Sequence, residues 1–108
     1  MAETALATLR GICADLPGST ETQTFGNPTF KVAGKSFAVL DRYKSVDCLW
    51  LRIDPRMRDD LLEQPGWFKS PYDKREEALG WDLRCVDWIA ATALIGQSHG
   101  LAKRPIKP

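Results

Sequence analysis

The side chains able to do chemistry here are cations set around an aromatic, with no catalytic constellation among them. Lys31, Lys35, Arg42, Lys44, Arg52, Lys74, Arg75 and Arg84 lie on either side of Trp50 in a chain of 108 residues. Lys and Arg in such a set can contact phosphates, and an exposed Trp can stack on a base. The same cations on outer strands also keep a surface soluble and protect sheet edges. Trp50, Trp67, Trp81 and Trp88 are many for so small a chain. Aromatics beside Arg suit a protein interface as well as a nucleic acid.

Other chemistry is absent from the pattern. His99 is the one histidine and reads as a charge partner near a helix end. Cys13, Cys48 and Cys85 are odd in number and widely spaced, so they form neither a disulfide framework nor a zinc knuckle. They read as small hydrophobes. Asp59-Asp60 and Glu76-Glu77 are adjacent in sequence, and adjacent residues on a helix do not converge on one site. There is no GxxxxGK[ST] loop, no GxGxxG signature and no nucleophile–base pair in a strand–turn–helix setting. No enzyme activity, cofactor or metal is therefore expected.

Composition sets further bounds. The net charge of +1 argues against a histone-like polycation and against an acidic metal sponge, while leaving room for a local basic face. Hydrophobic residues at 44% and charged residues at 27% suit one globular domain. No apolar run approaches the roughly 20 residues needed to span a bilayer. Met1-Ala2-Glu3-Thr4 lacks the basic start of a secretory signal, so a cytoplasmic location with no membrane partner is expected.

The elements that must position these residues follow from periodicity. Leu6, Leu9, Ile12, Cys13 and Leu16 recur at helical steps, predicting a helix over about 3–15 that Leu16-Pro17-Gly18 stops. Thr20–Thr24 alternates and suits an edge strand. Residues 29–40 predict a hairpin. With Gly34-Lys35 as its tip, Val32 faces Phe37 and Phe30 faces Val39, leaving Lys31 on the other side. Asp41–Asp47 reads as a polar connection. Residues 48–53 predict a strand with Leu49, Leu51 and Ile53 inward and Cys48, Trp50 and Arg52 outward.

Asp54-Pro55 signals a helix start, ended by Pro65-Gly66. Residues 67–70 and 80–85 predict the last strands, the second with Trp81, Leu83 and Cys85 inward and Arg84 outward. Residues 73–77 form a charged loop tip or helical turn. Asp87 caps a final helix over about 88–98, with Ile89, Ala93 and Gly96 on one side and Trp88, Ala91 and Ile95 on the next, and Gly100 stops it. The expected organisation is one domain over 1–100 and a basic, poorly ordered tail over 101–108. The fold class is α+β, a mainly antiparallel sheet backed by helices on one face. Its sheet core is expected from Phe30, Val32, Phe37, Val39, Leu49, Leu51, Ile53 and Leu83.

The stretch Phe25-Gly26-Asn27-Pro28-Thr29-Phe30-Lys31-Val32-Ala33-Gly34-Lys35-Ser36-Phe37-Ala38 resembles the G-x-P-x-F-[KR]-V-x-G-K-x-F-A motif of the MmcQ/YjbR family of small bacterial proteins. Leu49-Trp50-Leu51-Arg52-Ile53-Asp54-Pro55 resembles the family strand that runs into a D-P helix start. Pro71-Tyr72 followed by Gly80-Trp81 matches its late loop and strand. The resemblance covers about residues 5–99. It implies a CyaY-like fold and the DNA-binding label attached to the family, with hairpins as wings. That label follows the fold and family, and a fold does not fix function. The segments 41–47 and 73–78 look individual to this chain. Frataxin-like relatives of the fold bind iron through an acidic first helix. Here that helix carries only Glu3 and Asp15, beside Arg10, so an acidic ridge is missing.

The resulting expectation is weak, largely sequence-independent DNA binding through Lys31, Trp50, Arg52 and Arg84 on the outward sheet face, with Lys35, Arg42, Lys44, Lys74 and Arg75 on the connections. The alternative is a protein-interaction or small-ligand module with no nucleic-acid role.

Overall fold

The computed structural model describes residues 2–71, 73 and 75–104. In chain order they form α1 (Ala2–Ala14), β1 (Thr20–Thr24), β2 (Asn27–Val32), β3 (Lys35–Tyr43), β4 (Val46–Arg52), α2 (Pro55–Leu62), β5 (Trp67–Lys69), β6 (Ala78–Asp82) and α3 (Trp88–Lys103). One six-stranded sheet in the order β1-β2-β3-β4-β6-β5 pairs antiparallel throughout. The expected α+β fold is what is seen. α3 lies across β2, β3 and β4 with α1 against it, and α2 packs on β5. Among the described residues no helix is long and apolar enough to cross a membrane.

The core lies between the sheet and the helices. Leu9 and Cys13 of α1, Leu49, Leu51 and Ile53 of the fourth strand and its exit, and Ala91 and Ile95 of α3 are all buried there. The alternation of residues 48–53 puts Leu49, Leu51 and Ile53 inside as expected, with Trp50 and Arg52 half-buried on the far face. Cys48 shares that far face yet is fully buried. Burial, ahead of the nearby Asp41, pushes its thiol up to about 12. Burial does the same to Cys13, also up to about 12. Asp54 caps α2 by accepting the Arg56 N–H at 2.9 Å, with Pro55 in the first turn, and Asp87 caps α3 through the Ile89 N–H at 3.0 Å.

Three tips are tight two-residue turns. Phe25-Gly26, Ala33-Gly34 and Lys44-Ser45 each have both residues at positive φ, the geometry that matches the strand twist. The central hairpin thus turns at Ala33-Gly34, one residue before the expected Gly34-Lys35. Val32 pairs with Lys35 and Lys31 with Ser36, and a bulge then shifts the register so that Phe30 meets Ala38 and Thr29 meets Val39. Phe37 is the extra residue, and both it and Ala38 are buried. Val39 therefore leaves the expected core and faces outward. Asp41–Asp47 is not a loose connection but the end of β3, the third turn and the start of β4.

The C-terminal third differs most from expectation. β6 ends at Asp82, and Leu83–Cys85 is a single 3-10 turn. Leu79 and Trp81 supply the inward face, Leu83 is partly buried, and Cys85 is exposed. α3 does not stop at Gly100 but continues to Lys103, and Ala102 is buried, so residues 101–103 of the expected tail are helical. Its packed stripe is Ala91, Leu94, Ile95, Ser98, His99 and Ala102, while Ile89 is 87% exposed. Residues 105–108 of that tail lie outside the described residues.

Candidate nucleic-acid interface

The face of the sheet turned away from the helices is the candidate site. The strand registers lay one row of side chains across it: Phe68, Gly80, Trp50, Val39, Thr29 and Thr22. Gly80 makes the aromatic part of this row possible. A Cβ there would sit 2.6 Å from the Phe68 ring and 2.6 Å from the Trp50 ring. Without it the two rings meet over β6 at 5.3 Å and 74°. Tyr43 completes the cluster, 6.2 Å from Phe68 and nearly parallel to it.

Asp41 fixes the indole. Its carboxylate accepts the Trp50 Nε1–H at 3.0 Å and the Asn27 side-chain amide at 3.1 Å. Trp50 is thus held in one orientation by a hydrogen bond and two ring contacts.

Cations lie beside this aromatic cluster. Lys31, Lys35, Trp50 and Arg52 line one groove, and Phe25 at the β1–β2 tip lines it as well. Lys31 is half-buried, and Lys35 Nζ donates to the Arg104 carbonyl at 3.2 Å. Arg52 has a structural task. Its Nε donates to the Ser36 carbonyl next to the bulge at 2.7 Å, and its guanidinium pairs with Glu77 at 3.2 Å. Its backbone N–H, displaced from the ladder by the bulge, donates to the buried Ser98 hydroxyl at 2.8 Å, and that hydroxyl donates in turn to the Phe37 carbonyl.

The structure does not bring the other expected residues to this groove. Arg84 stands on the 3-10 turn, not on a strand. It grips Asp82 at 2.7 Å and lines a crevice with Thr4, Ser45 and Trp88. That side-chain hydrogen bond holds the Asp82 carboxyl below its usual range. Arg42 follows Leu40 onto the helix side, 3.8 Å from Asp47. Lys44 sits at a turn tip, 5.4 Å over the Tyr43 ring, and Arg75 is exposed on the β5–β6 loop. Lys74 lies outside the described residues. His99 is no helix-end charge partner: it is buried, its ring is edge-on to Phe37, and its Nε2–H donates to the Pro17 carbonyl at 2.8 Å.

Phe25 is the site residue that sequence reasoning passes over. It is 99% exposed and sits at φ 51°, a region bulky residues rarely enter. The sequence carried part of the signal, since the strand ending at Thr24 and the hairpin expected from residue 29 leave Phe25-Gly26 in the connection between them; only the start of β2 at Asn27 makes those two residues the tip.

The chain is similar in structure to two solved proteins. One is a Deinococcus radiodurans protein with a DUF419 domain. It is 25% identical with a TM-score of 0.77, over 92% of this chain and 78% of that one. The other comes from Pseudomonas syringae. At 15% identity and a TM-score of 0.76, over 90% and 97% of the two chains, it shares the fold. None of the curated proteins matches. The YjbR family model matches residues 14–101, from the last turn of α1 through nearly all of α3. The chain therefore belongs to the YjbR family.

Proposed function

We propose that this YjbR-family protein is a non-enzymatic nucleic-acid-binding protein that holds DNA weakly, with little sequence preference, on the open face of its sheet. The observation that carries the reading is one groove joining Lys31 to a fixed Trp50 and a projecting Phe25, with Lys35 at its rim and its ammonium on the Arg104 carbonyl. Lysines supply phosphate contacts and the aromatics supply stacking faces, which only unpaired bases can use. The enclosed His99, with its Nε2 held by Pro17, supports a non-enzymatic role.

The test is a salt titration of binding to a single-stranded oligonucleotide and to its duplex. The joint Lys31→Ala, Lys35→Ala variant should flatten the salt slope by about two units on duplex DNA. Phe25→Ala, at an exposed tip, should weaken single-strand binding by about tenfold and duplex binding less. Absence of binding at low salt, or a double variant indistinguishable from wild type, rejects the reading.

A protein-interaction or small-ligand module is the second reading. It is favoured by the exposed Phe25 and by Arg52, whose guanidinium already has acceptors at Ser36 and Glu77. Binding through that surface would change little with salt.

A further inference from the structure

The two edges of the sheet are built differently. β5 is only three residues long, carries Lys69, stands between Pro65 and Pro71 in sequence, and has α2 packed on it. These are devices that stop an edge from pairing with another chain. β1 has none of them. It is five residues long, Thr20-Glu21-Thr22-Gln23-Thr24, exposed along its whole length, and free of Lys and Pro. Its single charged residue is paired within the same copy: Glu21 accepts two hydrogen bonds from Arg10 of α1, both at 2.7 Å.

The turn fixes which backbone groups of β1 are free. Thr24 and Asn27 flank the two-residue tip, so they form a hydrogen-bonded pair. Alternation then gives Thr22 and Thr20 to the ladder with Thr29 and Lys31, and turns the N–H and C=O groups of Glu21 and Gln23 toward the open edge. Pro28 supports this assignment. It stands opposite Gln23, a position where its missing N–H costs no bond to β1.

We propose that β1 is a homodimer interface, in which two copies pair antiparallel about a twofold axis through Thr22. The sequence of β1 is self-complementary in this register. Glu21 faces Gln23 of the second copy, in both directions, and Thr20 faces Thr24. Backbone bonds run between Glu21 and Gln23, the residues whose groups are free. The Gln23 amide can donate to the facing Glu21 carboxylate, and no like charges meet. Pairing centred on Glu21 would set two carboxylates against each other, and pairing centred on Gln23 would run past the strand end at Thr24, which leaves the Thr22-centred register. A twofold perpendicular to the sheet keeps both open faces on one side of a continuous sheet of twelve strands, twice the six of one copy.

The experiment is sedimentation of the intact protein from low micromolar to millimolar concentration, with three variants at one position. Gln23→Pro removes a free-edge N–H and should leave only monomer while the fold is kept. Gln23→Glu sets a carboxylate against Glu21 twice and should raise the dimer dissociation constant by about tenfold; Gln23→Lys should lower it by a similar factor. Amide exchange should slow with concentration at Glu21 and Gln23 and stay constant at Thr22, already bonded to β2. A wild type that remains monomeric at millimolar concentration overturns the proposal. So does a dimer that the three variants leave unchanged, since it would use another surface.

Discussion

Leu49 and Leu51 point toward the helices and share a closed core with Leu9 and Ile95. Trp50 and Arg52, their neighbours on the same strand, point to a face that no helix among the described residues covers and are still half-buried. The helix face excludes water with a second layer of structure. The open face does so with side chains laid against each other: Trp50 and Phe68 meet over Gly80, and Arg52 folds back onto Ser36 and Glu77. An uncovered sheet face can therefore be ordered without being closed, provided one position lacks a side chain and one carboxylate holds the ring.

The largest expected effect breaks the covered face. Ile95→Ala removes a fully buried side chain between α3 and the sheet and should cost about 2–5 kcal/mol in denaturant unfolding. The outer cluster should survive in the folded fraction, as tryptophan fluorescence would show.

Next comes Gly80→Ala on the open face. The new methyl meets three ring carbons at 2.6 Å, so Trp50 and Phe68 must part. A loss near the upper end of about 1–3 kcal/mol is expected by overpacking. An unchanged unfolding midpoint would mean that the rings are free to move and that the open face is not ordered by packing.

Ser98→Ala sharpens the comparison where the two faces join. The hydroxyl bridges the Arg52 N–H and the Phe37 carbonyl at the bulge, and its loss leaves both without that partner, at about 1–3 kcal/mol. Exchange of the Arg52 amide should speed up more than that of Leu51.

The smallest effect is a control on neither face. Hydrogen bonds from the Arg56 side chain, then from its backbone, hold the Asp54 carboxyl down at about 2. A depressed carboxylate stabilises the fold above its unfolded value, about 3.9, and the contribution is lost as pH falls through about 2. Asp54→Asn should melt slightly below wild type at neutral pH, and the two curves should converge between about pH 4 and pH 2. A gap that persists at pH 2 would show that the charge is not the cause.

Local signals made much of this protein legible. Alternation placed Leu49, Leu51 and Ile53 inside, because a strand's two faces differ by one residue whatever lies beyond them. Asp54-Pro55 and Asp87 marked helix starts, because a cap needs only the N–H groups two residues on. The family motif over residues 25–38 and the α+β class were legible for the same reason. What depended on partners far along the chain was not. The bulge at Phe37 moves Val39 outward, and its freed backbone groups are met by Ser98, 61 residues away. The length of α3 depends on packing Ala91, Leu94, Ile95 and Ala102 against the sheet, which outweighs Gly96 and Gly100 at about 1 kcal/mol each. Of the expected cations, Lys31, Lys35 and Arg52 share a groove, while Arg42 and Arg84 point elsewhere. Charge along a sequence carries no face of its own; only strand register and the end of β6 assigned one.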